Sequence, residues 1–361
     1  MERIILFGAG VFGIRLCDKL MERGIIPLFF ADNDSRKWGN RIAGLEVYPP
    51  DHIKEVENDV VVICVNETIY SDISQQLIDD LEIPVNKIRH WTYWMRIDFL
   101  NYYHENMDKA GKEGQDIIKY VERRDRLVPF NYSYTEKYKE GITCFYDEQC
   151  GMFYGYYKNH RVYLNKSFRT RRQSEEYIKS LLIEQDIQSP HRYLSDDFNV
   201  DGECVLDAGV AEGNFALEVI EKVAKVILVE ADPLWNEALM KTFEPWKDKI
   251  VIINKYLSDA DGDNTITIDA LANSYPIDFV KLDIEGAEVN AIKGGMGYLS
   301  EIKKIKMAVC TYHNIDDEIR LREILEPMGF DAISTKGYMV FLDNTNQPPR
   351  LVRGVLRLTK K

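Results

Sequence analysis

The chain has 361 residues, 45% of them hydrophobic, and a formal net charge of −13. That length suits two domains, no apolar run approaches the roughly 18 residues of a spanning helix, and the acidic balance argues against a nucleic-acid partner. The six cysteines, at 17, 64, 144, 150, 204 and 310, lack zinc-site spacing, and no basic segment precedes the first apolar run. A cytoplasmic protein with reduced thiols, no signal peptide and no transmembrane segment is expected. The basic stretches FRTRRQ (168–173) and RLVRGVLRLTKK (350–361) read as solvated surface.

Residues 3–7 read as a buried strand, 11–23 as a helix stopped by Gly24, and 27–31 as a second strand ending on ADND. A third strand follows at 59–65, then a helix over 71–81 and a short strand at 87–90. This alternation predicts a parallel, helix-covered sheet of about four strands over 1–95. Gly8, Gly10 and Gly13 form G-x-G-x-x-G between the first strand and helix, and Asp32 follows Gly13 by nineteen residues. That spacing suits a nucleotide on the turn and a ribose on Asp32.

Residues 96–140, rich in Tyr, Trp and charge, predict a helical linker. The remainder, 141–361, begins with alternating aromatic and polar residues that predict a hairpin or meander. Its tyrosines (Tyr146, Tyr154, Tyr156, Tyr157, Tyr163) suit cross-strand packing or stacking on a sugar. In EQDIQSPHRYL (184–194), Gln185, Ser189 and His191 are polar candidates for lining a substrate pocket.

From residue 203 a second α/β pattern starts, with strands predicted at 203–206, 225–229, 250–254, 277–283 and around 304–313. DAISTKGYMVFLDN (331–344) and RLVRGVLRL (350–358) read as closing antiparallel strands around a turn at Lys336-Gly337. The first of these strands runs into LDAGVAEG, which places Asp207, Gly209 and Gly213 as D-x-G-x-x-x-G before a helix. Glycines there let backbone approach a ligand, the free N–H groups suit a carboxylate, and the acid suits an ammonium. Glu230, followed by Ala231, ends the next strand, where a carboxylate suits ribose hydroxyls. Ser258 and Asp259 follow the third strand and suit an adenine amino group. A carboxylate, an ammonium and an adenine-bearing ribose belong together in S-adenosylmethionine.

The fourth strand ends in KLDIEGAE, which crowds Asp283, Glu285 and Glu288 at the sheet edge where open α/β folds bind ligands. The fifth ends in Tyr312, His313 and Asn314 beside them. Two chemistries suit this group. Asp283 or His313 takes a proton from a hydroxyl, with Glu285 orienting His313. Alternatively Asp283, Glu285 and His313 or Asn314 hold a divalent ion, magnesium, manganese or zinc, that acidifies the hydroxyl.

VLDAGVAEGNFAL, VEADP, FVKLDIEGAEVNAIKGG and VCTYHNIDD together resemble the FkbM-type S-adenosylmethionine-dependent methyltransferases over roughly 203–330. The resemblance implies a class I methyltransferase sheet of seven strands with a final antiparallel hairpin. It implies O-methylation of a sugar, a glycan precursor of surface-polysaccharide type or a related small molecule. By position Asp207, Gly209 and Gly213 hold the methionine end, Glu230 the ribose, and Asp283 the edge near the methyl group. The family more often has Ala-Asn where this chain has Ala211-Glu212, so Glu212 is the departure among the cofactor residues. ADNDSRKWGNRIAGLEVYPPDHI (31–53) resembles the Rossmann-like domain that binds a nucleotide-sugar in some sugar acyltransferases. The competing readings are an NAD(P)-dependent oxidoreductase built on the first turn, and a binding module without turnover.

Overall fold

The computed structural model describes residues 2–200, 202–342 and 348–361. It divides into two compact units, Met1–Ser133 with Val340–Leu351, and Tyr134–Met339 with Val352–Lys361.

Unbroken apolar runs make strands that are buried on both faces. In the first unit β1 (Ile4–Phe7), β2 (Phe30–Ala31), β3 (Arg41–Ile42), β4 (Leu45–Tyr48), β5 (Val60–Ile63) and β6 (Ile88–His90) form one sheet. Its order is β3-β4-β2-β1-β5-β6, and all pairs are parallel except β3–β4. The strand pattern misses β3 and β4, which fold as a hairpin through Ala43 and Gly44 at φ +47° and +80°. Helix α1 (Val11–Glu22) buries Leu16, Cys17 and Leu20. Helix α2 (Glu67–Asp79) starts ahead of the predicted 71 because the Asn66 side chain accepts from the Ile69 N–H. Helices α3 (Thr92–Glu105) and α4 (Met107–Glu122) also lie in this unit, α4 with a break at Gly111 (φ +58°).

The second unit opens with an antiparallel meander, β7 (Phe145–Asp147), β8 (Met152–Tyr157) and β9 (His160–Tyr163). Tyr157 and Tyr163 are buried in it, whereas Tyr146 and Tyr156 are exposed. Helix α5 (Arg171–Glu184) follows, capped by the Thr170 side chain. Then come β10 (Cys204–Ala208), α6 (Asn214–Val219), β11 (Lys225–Val229), α7 (Asn236–Thr242) and β12 (Ile250–Ile253). A short parallel pair, β13 (Tyr256–Leu257) and β14 (Thr265–Ile266), leads through α8 (Ile268–Ala272) to β15 (Phe279–Leu282). The chain continues through α9 (Glu288–Lys293), α10 (Met296–Glu301), β16 (Ile305–Cys310) and α11 (Asp317–Leu325). It ends with β17 (Asp331–Ser334), β18 (Met339–Phe341), β19 (Arg350–Val352) and β20 (Val355–Lys360).

Seven strands form a mixed sheet in the order β12-β11-β10-β15-β16-β20-β17, with only β20 antiparallel to its neighbours. Successive residues of β10 enter opposite cores, Val205 one and Leu206 the other. The closing strands differ from the prediction. β17 pairs with β20, and β18 with β19, so the turn at Lys336-Gly337 joins strands of two different sheets. Residues 343 and 344 of the predicted run lie outside the described residues. The strand order reverses at β10, so the crevice between the carboxyl ends of β10 and β15 is the natural ligand position.

Candidate active site

The glycine turn after β10 is forced by proximity. Gly209 has φ +71°, and a Cβ there would lie 1.6 Å from the Asp283 carbonyl oxygen, so the ends of β10 and β15 touch through backbone. Gly213 (φ +88°) caps α6, and Ala211 takes φ +47° between them. The carboxylate of Glu230, just beyond β11, accepts from Ala211 N–H and from Asp232 N–H, each at 2.8 Å. Ala231 is half-buried beside it. Ser258 donates to Asp259 at 3.2 Å, and the Asp259 side chain is exposed.

Asp207 is buried, and the ammonium it meets is that of Lys281, 3.2 Å away. Lys281 also donates to the carbonyls of Gly209 at 2.6 Å and Ala208 at 3.3 Å, fastening the turn to β15. Burial opposes the ammonium charge, but Asp207 and Asp283 outweigh it and raise the Lys281 pKa. Glu212 is buried under α5, where it accepts from the Tyr177 hydroxyl at 2.5 Å, and burial pushes it up to about 7.

Asp283 stands at the end of β15. One oxygen accepts from Tyr193 at 2.7 Å and the other from Tyr312 at 3.0 Å. Burial alone would raise its pKa, but His191, Lys281, His313 and the Tyr193 hydroxyl outweigh burial and hold it far below the usual carboxylate range. His313 Nε2 lies 3.6 Å from Asp283 and 3.7 Å from Glu285, while Nδ1 lies 2.9 Å from Glu288. Burial lowers the His313 pKa, yet Glu288, Asp283 and Glu285 together leave it raised. Glu285 is exposed and sits at φ +56°, a conformation costly for a non-glycine residue.

Ser189, His191 and Gln185 are all buried. Ser189 Oγ accepts from His191 N–H, and Gln185 donates to the His191 carbonyl. His191 Nε2 lies 3.4 Å from Cys310 Sγ and 3.8 Å from Asp283. Ser189 and His191 therefore lie buried beside Asp283, joined through the His191 backbone N–H. Gln185 also lines a cavity of about 300 Å³ with Tyr157, Lys158 and Arg192. Sequence reasoning missed Lys281, Tyr193 and Tyr177. Only Lys281 carries a local signal, a charge inside the apolar run FVKL.

The first unit repeats the same device. Gly8 N–H donates to Ala31 at 2.7 Å, and Asp32 accepts from Ala9 N–H at 2.8 Å, as Glu230 does from Ala211. A Cβ on Gly13 would lie 2.0 Å from the Gly8 carbonyl, and Gly10 precedes α1. Asp32 is buried and also holds Lys37 Nζ at 2.8 Å.

A seven-stranded mixed sheet with its glycine turn at the switch point is the class I methyltransferase fold. Residues 257–333 match the methyltransferase FkbM domain, which places a methyltransferase domain in the second unit, and residues 1–89 match the C2185-like N-terminal domain. No curated protein matches the chain. Among solved structures, methyltransferase FkbM from Methylobacillus flagellatus is 16% identical over 99% of this chain and 90% of its own, with a TM-score of 0.46. Precorrin-6y C5,15-methyltransferase from Geobacter metallireducens is 12% identical over 55% of this chain and 93% of its own, at 0.33. The S-adenosylmethionine-dependent O-methyltransferase from Thermotoga maritima is 15% identical over 44% and 60%, at 0.31.

Proposed function

We propose that the second unit transfers the methyl group of S-adenosylmethionine to a hydroxyl of a sugar, a glycan precursor or a related small molecule. The observation that carries this reading is the glycine turn pressed against Asp283, with the anchored Glu230 carboxylate on one side and His313 on the other. The backbone of Gly209–Gly213 takes the methionine end, Glu230 and Ala231 the ribose, and Ser258 and Asp259 the adenine. Asp207 and Lys281 brace the turn, and Glu212 with Tyr177 closes its far side.

The sulfonium methyl is the electrophile. The oxygen–carbon bond forms as the carbon–sulfur bond breaks, the electron pair goes to sulfur, and the hydroxyl proton leaves. Orientation of the two reactants is the main gain. Asp283 keeps its charge and lies where it can attract the sulfonium and align the acceptor, with the Tyr312 hydroxyl beside it. The six cysteines are all free, which suits a reducing compartment such as the cytoplasm. No helix among the described residues is long and apolar enough to cross a membrane.

The test is transfer from methyl-tritiated S-adenosylmethionine to a panel of monosaccharides and nucleotide-sugars, with matched amines and thiols. Label on hydroxyl acceptors, lost in Asp283→Asn, is expected. Label on amines or thiols alone would contradict the reading. A second ligand reading attaches to the first unit, where Gly8, Gly10, Gly13 and Asp32 form a turn suited to a nucleotide or nucleotide-sugar. Calorimetry with UDP and NAD tests it, and Asp32→Ala should abolish the heat of whichever binds.

A further inference from the structure

We infer that the cavity at the end of α5 is a binding site for a small ring compound carrying one carboxylate or phosphate, separate from the crevice beside the glycine turn. Its volume of about 300 Å³ is at the small end of ligand pockets. Its walls come from the end of α5, the turn between β8 and β9, and the segment that follows α5. Its lining includes no residue of the glycine turn or of the carboxyl ends of β11, β15 and β16. Tyr157 supplies the first observation. It lines the cavity and is fully buried, yet its hydroxyl has no hydrogen-bond partner among the described residues. A buried hydroxyl left that way is costly. The charges that act most on it are those of Glu218 and Arg192, which are bound to each other, and Arg192 lines the same cavity.

The second observation is charge. Arg192 grips Glu218 with both terminal nitrogens, and Lys158 Nζ meets the same carboxylate at 2.5 Å. One carboxylate thus serves two cations that line the cavity. The lining carboxylate, Asp186, is taken by Lys137 and by the Tyr138 hydroxyl at 2.6 Å. Glu184, outside the lining, turns to His191 Nδ1 at 3.3 Å. Lys158, Arg192 and Lys137 against Glu218 and Asp186 leave one positive charge over. Burial lowers the Lys158 pKa despite Glu218, so the shared carboxylate does not fully compensate that ammonium. Arginine and lysine side by side suit the oxygens of a carboxylate or phosphate. Lys158 also holds its place under strain. It and Asn159 form the turn between β8 and β9 at φ +47° and +71°, a conformation that favours asparagine and glycine over lysine.

The remaining wall is largely apolar, with Leu182, the rings of Tyr138 and Tyr157, and the exposed Ile187. Such walls suit the body of a pyranose or an aromatic ring, with the few polar groups fixing its charged end. Gln185 is committed elsewhere. It donates to the His191 carbonyl at 3.1 Å and accepts from Tyr193 N–H at 3.3 Å, and the Tyr193 hydroxyl donates to Asp283. The chain from Gln185 to Tyr193 therefore touches the cavity at one end and Asp283 at the other.

The test is calorimetric titration of the full chain with glucuronate, glucose 6-phosphate, benzoate and phenyl phosphate, with glucose and benzyl alcohol as uncharged matches. One equivalent of at least one anionic probe should bind, and its uncharged match should not. The probe that binds separates carboxylate from phosphate and sugar from aromatic ring. Lys158→Gln should weaken binding about tenfold or more, as loss of a charged hydrogen bond does. Tyr157→Phe should weaken it about threefold to tenfold. The same variant should leave the urea midpoint unchanged or raised, since the hydroxyl has no partner to lose. Lys166→Gln, outside the lining, should bind like the parent. Affinity should be the same when the chain is saturated with S-adenosylhomocysteine. No binding of any anionic probe at millimolar concentration, equal binding of the uncharged match, unchanged affinity in Lys158→Gln, or displacement by S-adenosylhomocysteine overturns the inference. The site does not depend on the methyl-transfer reading. Probe binding in a chain that takes no S-adenosylhomocysteine removes that reading alone.

Discussion

Lys281 is the residue on which the site's backbone hangs. It is 3% exposed and joins Asp207 to two turn carbonyls. Removing one member of a buried ion pair strands the other charge, at a cost of about 3–5 kcal/mol. Lys281→Met should lose that much in urea unfolding, and the double variant Lys281→Met with Asp207→Leu should recover most of it. If the double variant is no better than the single, the carbonyl contacts matter more than the pair. Glu212 gives a pH dependence of definite sign. Its folded value of about 7 lies above the ordinary 4.5, so the native state keeps a proton that the unfolded chain has lost. Stability is therefore greatest below pH about 4.5, falls as pH rises to about 7, and stays reduced above. Glu212→Gln keeps the Tyr177 contact and removes the penalty. Its advantage over the parent should grow from near zero at pH 4.5 to on the order of 3 kcal/mol at pH 8. A pH-independent difference would count against the buried acid. At this scale the charge in FVKL is a local signal that sequence reasoning left unused, whereas Tyr193 carries none, since it meets Asp283 from 90 residues away in sequence.

At the scale of elements, the two glycine turns share one construction and differ in what they face. Each N–H after the first glycine pairs with the acid that ends the second strand, Ala9 with Asp32 and, one residue further on, Ala211 with Glu230. Only the second faces a cluster of carboxylates and histidines on neighbouring strand ends. Gly209→Ala drives a Cβ into the Asp283 carbonyl and should reduce S-adenosylhomocysteine affinity more than tenfold. Gly13→Ala also clashes, with the Gly8 carbonyl at 2.0 Å, and should leave that affinity unchanged. Isothermal titration of both variants decides between the turns. Strands β1 and β5 were legible as unbroken apolar runs, and β10 and β15 as apolar runs interrupted by a single charge. The β3–β4 hairpin was not, because two-residue strands have no periodicity. Nor was the β17–β20 pairing, since local pattern says nothing about which partner a strand selects across twenty residues of chain.

Across the whole molecule, an acidic chain carries two α/β units, and the sheet edge proposed to react belongs to the second. The position of that edge follows from strand order, and strand order follows from alternating strands and helices, so it was readable before any coordinates. The burial of Ser189 and His191 was not readable, since local polarity does not say how far neighbouring segments cover a side chain. The central claim is that the second unit holds S-adenosylmethionine. Calorimetric titration of the full chain with S-adenosylhomocysteine tests it most directly. One equivalent should bind with micromolar affinity, and Glu230→Ala should weaken it at least tenfold. Heat with NAD or UDP and none with S-adenosylhomocysteine would contradict the account.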